Sequence, residues 1–155
     1  GGSGETNTQT ERNIFAQEIE KIVKKIKDSG AEAALYMIHA YVEPHEDTNP
    51  QMINNIKQMY IDAGNKNDAL VIPVGIAFEK AYKAQKNIQL HKHYDGTHPN
   101  ILGTYLASCV VFASITHLSP LNIQYSYYDK ISKEDKEFLQ NIAKETVEDF
   151  YNIDL

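Results

Sequence analysis

Two short apolar runs limit the fold of this chain more than any other feature. Ala34–Ile38 and Ala69–Val74 are uninterrupted apolar segments, as is typical of strands that are buried on both faces of a parallel sheet. Segments with helical periodicity lie before, between and after them. Such alternation predicts an α/β protein with a parallel sheet and right-handed crossovers.

The predicted helices have recognisable starts. They begin near Thr8, Asn49-Pro50, Gly75, Asn100 and Ser132. The first has a capping box, Thr8 followed by Glu11, and an inner face predicted from Phe15, Ile19, Ile22 and Ile26. The fourth, from about Asn100 to Leu118, is apolar but interrupted by Gly, Ser and Thr, so it is predicted to be a buried helix and not a membrane span.

Two strands are too few for a stable sheet of this kind. Sheets usually have about five or six strands, and parallel strands without neighbours leave apolar edges unpaired. We therefore expect N-terminal strands to be missing from this chain, with residues 11–155 forming the C-terminal part of one larger domain. Residues 1–10, which open with Gly1-Gly2-Ser3-Gly4, are expected to be a flexible linker or a remnant of the missing part. Self-association through the unpaired strand edges is also expected.

Composition narrows the function classes. The net charge is −6 over 155 residues, which argues against a nucleic-acid-binding surface. The single cysteine, Cys109, lies in the most apolar segment and is interpreted as a small buried hydrophobe. The first ten residues do not resemble a signal peptide. We expect a soluble protein, either cytoplasmic or secreted with a signal peptide outside this chain.

The segment Tyr94-Asp95-Gly96-Thr97-His98-Pro99-Asn100 places an acid three residues before a histidine, in a turn. In this arrangement Asp95 could hold the Nδ1–H of His98, which leaves Nε2 free to act as a general base. Two simpler interpretations stay open: Asp-Gly is a turn signal, and Asp95 could cap the following helix.

Other histidines offer alternatives. His91, His93, Asp95 and His98 could ligate a metal, which would indicate a metal-dependent hydrolase, although no metal site and no cofactor is our expectation. His39, at the end of the first predicted strand, could contact substrate or could be a partly buried histidine bonded to backbone. Tyr125, Tyr127 and Tyr128 could stack on carbohydrate, but edge packing is preferred.

The stretch Asp95-Gly96-Thr97-His98-Pro99-Asn100, followed by Gly103-Thr104-Tyr105-Leu106-Ala107, resembles the last conserved block of the SGNH (GDSL-like) hydrolases. Phe138–Ala143 with Glu145–Val147 is similar to the closing helix of a bacterial subgroup. Ala34–Met37 and Val71–Gly75 are similar to the last two strands of that family. The resemblance implies a three-layer α/β/α, flavodoxin-like fold and an esterase with a Ser-His-Asp mechanism. His98 would be its general base and Asp95 the acid that orients it. The implied substrate is a small-molecule ester, with an acylated carbohydrate preferred.

The nucleophile is the missing part of that pattern. The family's Gly-Asp-Ser-like block does not occur in this sequence, and its Asn-bearing block is not recognisable. Ser3 lacks the strand-to-helix seat that a nucleophile needs, and Ser108 is expected to bond back to its own helix. The chain alone is therefore predicted to be inactive. The rival hypothesis is a non-catalytic fragment or pseudoenzyme that binds a partner through its open strand edge.

Overall fold

The computed structural model describes residues 3–155, without the side chain of Glu5. These residues form five α-helices and two β-strands; the strands alternate with the first three helices, and two further helices follow. In chain order they are α1 (Gln9–Asp28), β1 (Ala34–Tyr36), α2 (Met52–Asn67), β2 (Leu70–Ile72), α3 (Val74–Ala84), α4 (Ile101–Thr116) and α5 (Lys133–Tyr151). Short 3-10 helices cover Ser3–Thr6 and Pro120–Asn122.

The two strands pair in parallel, with Ala34 opposite Leu70 and Tyr36 opposite Ile72. This confirms the α/β class, in a molecule that is mostly helical. Both strands are shorter than the apolar runs that predicted them. Val74, predicted as strand, is the first residue of α3, because Pro73 has no N–H for a sheet ladder and stands at the helix N-cap instead.

Side-chain caps fix three helix starts where the sequence predicted them. Thr8 accepts the N–H of Glu11 at 3.2 Å, Asn100 accepts from Leu102 and Gly103, and Ser132 accepts from Asp135 at 3.0 Å. These are the donors that a helix N-terminus leaves unsatisfied.

The predicted start of α2 at Asn49-Pro50 is wrong. Asn49 Oδ1 accepts the N–H of Gln51 at 3.1 Å and its carbonyl accepts from Met52. These bonds form a turn, and the helix begins at Met52.

The strands contribute to two apolar clusters. Leu35 and Val71, with Met37 just after β1, pack with residues of α1 and α2, whereas Ile72 packs with residues of α3, α4 and α5. Phe15 and Val23 are the buried residues of α1. Ile22, predicted on the inner face of that helix, is 51% exposed, so the inner face is narrower than its periodicity indicated.

One side of β1 is uncovered. Leu35 is buried, but Ala34 and Tyr36 on the opposite face are exposed, Tyr36 by 41%. Within residues 3–155 the sheet has only β1 and β2, so one edge of β1 has no described partner. In the same part of the chain, no helix is long and apolar enough to cross a membrane.

Candidate active site

The Asp95–His98 turn lies in a loop that is closed at its base. Residues 91–99, called here the dyad loop, begin and end at an antiparallel bridge between His91 and Pro99. The N–H of Lys92 donates to the carbonyl of His98 at 2.8 Å, which extends this closure. The loop therefore has a backbone frame of its own.

Asn100 ties the frame to its surroundings. Its Oδ1 accepts the N–H groups of Leu102 and Gly103 at 2.9 and 3.1 Å, and its Nδ2 donates to the carbonyls of Gln89 at 2.7 Å and His91 at 3.4 Å. One amide side chain thus joins the segment that enters the loop to the first turn of α4. The interpretation of Asp95 as the cap of that helix is wrong, because Asn100 occupies the position.

Within the loop, the Asp95 carboxylate orients His98. Its Oδ1 accepts the backbone N–H groups of Thr97 and His98 at 2.8 and 2.9 Å. Its Oδ2 lies 3.0 Å from His98 Nδ1. An ionised carboxylate can only accept, so His98 carries its proton on Nδ1 and leaves Nε2 with a free lone pair. The His98 side chain is 69% exposed, and this lone pair can accept a proton from an approaching group.

The Asp95 carboxyl stays ionised over the usual pH range. The N–H of Thr97 has the largest effect on the pKa of Asp95 and lowers it. Burial opposes this, and the N–H and imidazole of His98 lower it further, to about 2. The carboxylate can therefore stabilise an imidazolium at His98.

Gly96 seats the dyad loop on the polypeptide that follows β1. Its φ is +63°, and a Cβ at this position would stand 1.9 Å from the carbonyl oxygen of Val42. The Val42 N–H donates to the Gly96 carbonyl at 3.0 Å. Only glycine combines this left-handed conformation with so close an approach, so the residue between the acid and the histidine also fixes where the pair lies.

His39, predicted at the edge of the site, lies in the segment after β1 and is half-buried. Its ring stacks on Phe78 with centroids 4.6 Å apart. Its Nδ1 is 3.0 Å from Nε2 of His91, whose Nδ1 is in turn 2.6 Å from the hydroxyl of Tyr82. A protonated His98 repels a proton on His39 and so contributes to lowering the pKa of His39, after the larger effect of burial.

This side-chain bonding was not predicted. His39 was considered as a histidine bonded to backbone, but its Nδ1 bonds to another imidazole, and no bond from Tyr82 was predicted. His91 and Tyr82 also line a cavity of about 480 Å³, together with Glu43 and Glu79.

The alternative metal site does not assemble in the part of the chain that the structure describes. His91 is 4% exposed and faces His39, whereas His93 is exposed and contacts Tyr94. Among residues 3–155, no three His, Cys, Asp or Glu side chains are placed to hold a metal ion.

A groove of about 640 Å³ runs along α4 beside the dyad loop. Lys92 and Pro99 of the loop line one part of it, and Phe112, Tyr125 and Tyr127 line another. Tyr125, Tyr127 and Tyr128, the cluster predicted to pack at an edge, are exposed. Their ring centroids lie 5.8 to 6.4 Å apart. The groove is mainly apolar and of a size that admits a small organic molecule.

The structure does not pair His98 with a hydroxyl nucleophile within the described residues. The buried Ser3 donates its Oγ–H to the carbonyl of His39 at 2.5 Å. Ser108 donates to the carbonyl of Thr104 at 2.9 Å, which confirms its predicted bond within α4. Residues 3–6 form a 3-10 helix, and the assignment of residues 1–10 as linker or remnant stays a prediction; Gly1 and Gly2 lie outside the described residues.

Comparisons with known proteins give one informative match. No family model matches the chain, and no curated protein matches it. The crystal structure of a DUF4886 family protein from Bacteroides uniformis matches with a TM-score of 0.81 and 18% sequence identity. The match covers 99% of this chain but 61% of the other, so this chain spans about three fifths of its structural neighbour. The similarity shows a shared fold.

Proposed function

We propose that Asp95 and His98 are the acid and the general base of a Ser-His-Asp esterase of the SGNH type. The observation that carries the proposal is the 3.0 Å bond between Asp95 Oδ2 and His98 Nδ1, on a loop that leaves the imidazole exposed. A carboxylate that fixes the imidazole tautomer and leaves Nε2 free is what acyl transfer by a serine requires.

In the proposed reaction a serine outside this chain attacks the ester carbonyl. His98 Nε2 takes the serine proton as the C–O bond forms, and Asp95 stabilises the imidazolium. His98 then gives that proton to the departing alcohol. A water deprotonated by His98 releases the acyl group as a carboxylic acid and regenerates the serine. No cofactor enters these steps.

The proposed fold is a three-layer α/β/α, flavodoxin-like domain, with residues 11–155 as its C-terminal part. Supporting observations are the uncovered face and edge of β1 and the greater length of the structural neighbour. An upstream segment that supplies a strand beside β1 would pair this edge and could carry the serine.

The proposed substrate is a small-molecule ester, with an acylated carbohydrate preferred. The groove beside the dyad loop has aromatic rings at Tyr125 and Tyr127 that could stack on a sugar ring. His39 is the proposed contact for a polar substrate atom.

The test is hydrolysis of p-nitrophenyl acetate by the complete gene product and by this chain alone. We expect the complete protein to be active and this chain inactive. His98→Ala in the complete protein should lower kcat by about 10²–10⁴-fold or more. His93→Ala is the matched control, since His93 is an exposed histidine of the same loop without a carboxylate partner in the described structure. Full activity of the His98→Ala protein would refute the assignment.

The second candidate function is a binding module without catalysis. It is favoured by the exposed Tyr36 and the open edge of β1, a place where a partner strand or a second copy could add. Size-exclusion chromatography over a range of concentrations tests self-association, and Tyr36→Lys should weaken it. A chain that stays monomeric at every concentration would contradict self-association.

A further inference from the structure

A chain of hydrogen bonds leads from Tyr82 through His91, the first residue of the dyad loop, to His39. Tyr82 Oη is 2.6 Å from His91 Nδ1, and His91 Nε2 is 3.0 Å from His39 Nδ1. The three rings pack against one another. The His91 ring lies nearly parallel to the Tyr82 ring and edge-on to the His39 ring. Phe78 supports the far face of His39. This packing leaves the rings few other orientations.

The direction of the chain follows from where the protons can lie. The N–H of Leu90 donates to Tyr82 Oη at 3.3 Å, so the phenol oxygen is already an acceptor. The 2.6 Å separation to His91 is typical of an O–H donor and is shorter than usual N–H···O bonds. Tyr82 therefore donates its proton to His91 Nδ1. His91, when neutral, then carries its own proton on Nε2 and donates it to His39 Nδ1.

Both imidazoles are neutral at pH 7. Burial and the charge of the neighbouring His39 lower the pKa of His91 to about 4, although the Ala40 carbonyl and Asp95 oppose this. Burial likewise lowers the pKa of His39. Burial raises the pKa of Tyr82, which keeps its proton. A neutral His39 that accepts at Nδ1 must carry its single proton on Nε2.

We propose that Tyr82 and His91 are positioning residues that hold His39 as an Nε2–H donor at the base of the dyad loop. Among the described residues no side chain bonds to this Nε2, and the carbonyl of Ala40 is the backbone acceptor close to the imidazole. The role of the donor rests on the proposed esterase function: it would bind the carbonyl oxygen of the ester and the negative charge that develops there. The hydrogen-bond chain Tyr82–His91–His39, called here the relay, does not itself depend on that function.

The relay can be tested on this chain without any assay of activity. Long-range proton–nitrogen NMR on ¹⁵N-histidine-labelled protein at pH 7 distinguishes the two imidazole tautomers. We expect Nε2–H forms for both His39 and His91. An Nδ1–H form of His39 in the unaltered chain would overturn the proposal, and this measurement needs no variant that could misfold.

Two matched variants then test the direction. Tyr82→Phe removes the donor to His91, and we expect the ¹⁵N shifts of both imidazoles to move toward tautomer mixtures. Tyr41→Phe removes a hydroxyl that lines the same cavity without touching the relay, and it should leave these shifts unchanged. Unchanged shifts in a folded Tyr82→Phe chain would refute the relay.

The catalytic role is tested separately in the complete protein. His39→Leu should lower kcat by about 10–100-fold, and His39→Gln, which retains an N–H, should preserve more of it. Equal losses in the two variants would refute the donor role while leaving the NMR result intact. If His98→Ala has no effect on hydrolysis, the esterase proposal fails and the relay still stands or falls on its tautomers.

Discussion

The molecule holds two hydrogen-bonded pairs in opposite electrostatic surroundings. The exposed pair is Asp95 and His98, and the buried pair is His39 and His91. His98 is exposed and bonded to a carboxylate, so its imidazole has water and a negative charge to stabilise an added proton. His91 is buried and bonded to a phenol and a second imidazole, so burial holds its pKa at about 4. The dyad loop carries both residues, seven positions apart. The surroundings of each imidazole, and not its residue type or sequence position, therefore set its role. His98 is placed to accept a proton, whereas His91 accepts one hydrogen bond and donates another.

Removing the charge from the exposed pair should have the largest effect. Asp95→Asn keeps an oxygen for the N–H groups of Thr97 and His98 but no longer fixes the Nδ1–H tautomer. In the complete protein we expect kcat for p-nitrophenyl acetate to fall by about 10³–10⁴-fold. Glu46→Gln, which changes an exposed carboxylate in a neighbouring loop, is the control. Loss of less than tenfold would mean that Asp95 only shapes the turn.

Acid should act on the buried pair first. The unfolded chain takes up a proton at His91 near pH 6.5, but the folded chain does so only near pH 4. Between these values the unfolded state binds more protons, so the free energy of unfolding falls as the pH falls, by up to about 3 kcal/mol at His91. Asp95 titrates below this window, because its pKa is lowered from 3.8 to about 2.

Urea denaturation at pH 7, 5.5 and 4.5 measures this slope. His91→Gln has no titratable group at the position, and we expect it to flatten the pH dependence, with the slope that remains coming from His39 and the rest of the chain. Parallel slopes for the two proteins would show that His91 takes up its proton at the same pH in the folded and the unfolded chain.

The seat of the dyad loop can be broken with one methyl group. Gly96→Ala adds a Cβ that would meet the Val42 carbonyl at 1.9 Å and strains a φ of +63°. We expect the free energy of unfolding to fall by about 2–4 kcal/mol. Gly30→Ala is the control, since Gly30 has a φ of +83° but nothing within 4 Å of an added Cβ. That variant should lose only about 1 kcal/mol, and equal losses would show that conformation alone, without contact, accounts for Gly96.

The smallest predicted effect is the change in the free energy of unfolding when the exposed Asp95–His98 pair is removed. His98→Gln should change the free energy of unfolding by less than about 1 kcal/mol, because ion pairs open to water stabilise little. His91→Gln at pH 7 should cost more, since it leaves a buried hydrogen-bond chain incomplete. Urea denaturation of the two variants side by side checks this, and a larger loss for His98→Gln would reverse the comparison.

The sequence predicted those features that depend on neighbours along the chain. Thr8, Asn100 and Ser132 were predicted as helix starts because capping is a matter of three or four residues. The Asp95–His98 bond was predicted for the same reason. The α/β class followed from the alternation of elements, which is also a local pattern read in order.

Features that depend on distant residues could not be predicted in this way. His39 and His91 are 52 positions apart and meet because the segment after β1 lies against the dyad loop, where the Val42 N–H donates to the Gly96 carbonyl. Nothing near Tyr82 in the sequence indicates that its hydroxyl bonds to an imidazole. The exposure of Ile22 likewise depends on what packs against α1, and its periodicity carries no such information.

Four hydrogen bonds converge on the side chain of Asn100, two from the first turn of α4 and two to the base of the dyad loop. Opening of the loop and fraying of the helix are therefore one event and not two. Slow motions of His98 should carry the first turn of α4 with them. The hydrogen-exchange rates of the Leu102 and Gly103 amide protons therefore report how often the dyad loop opens.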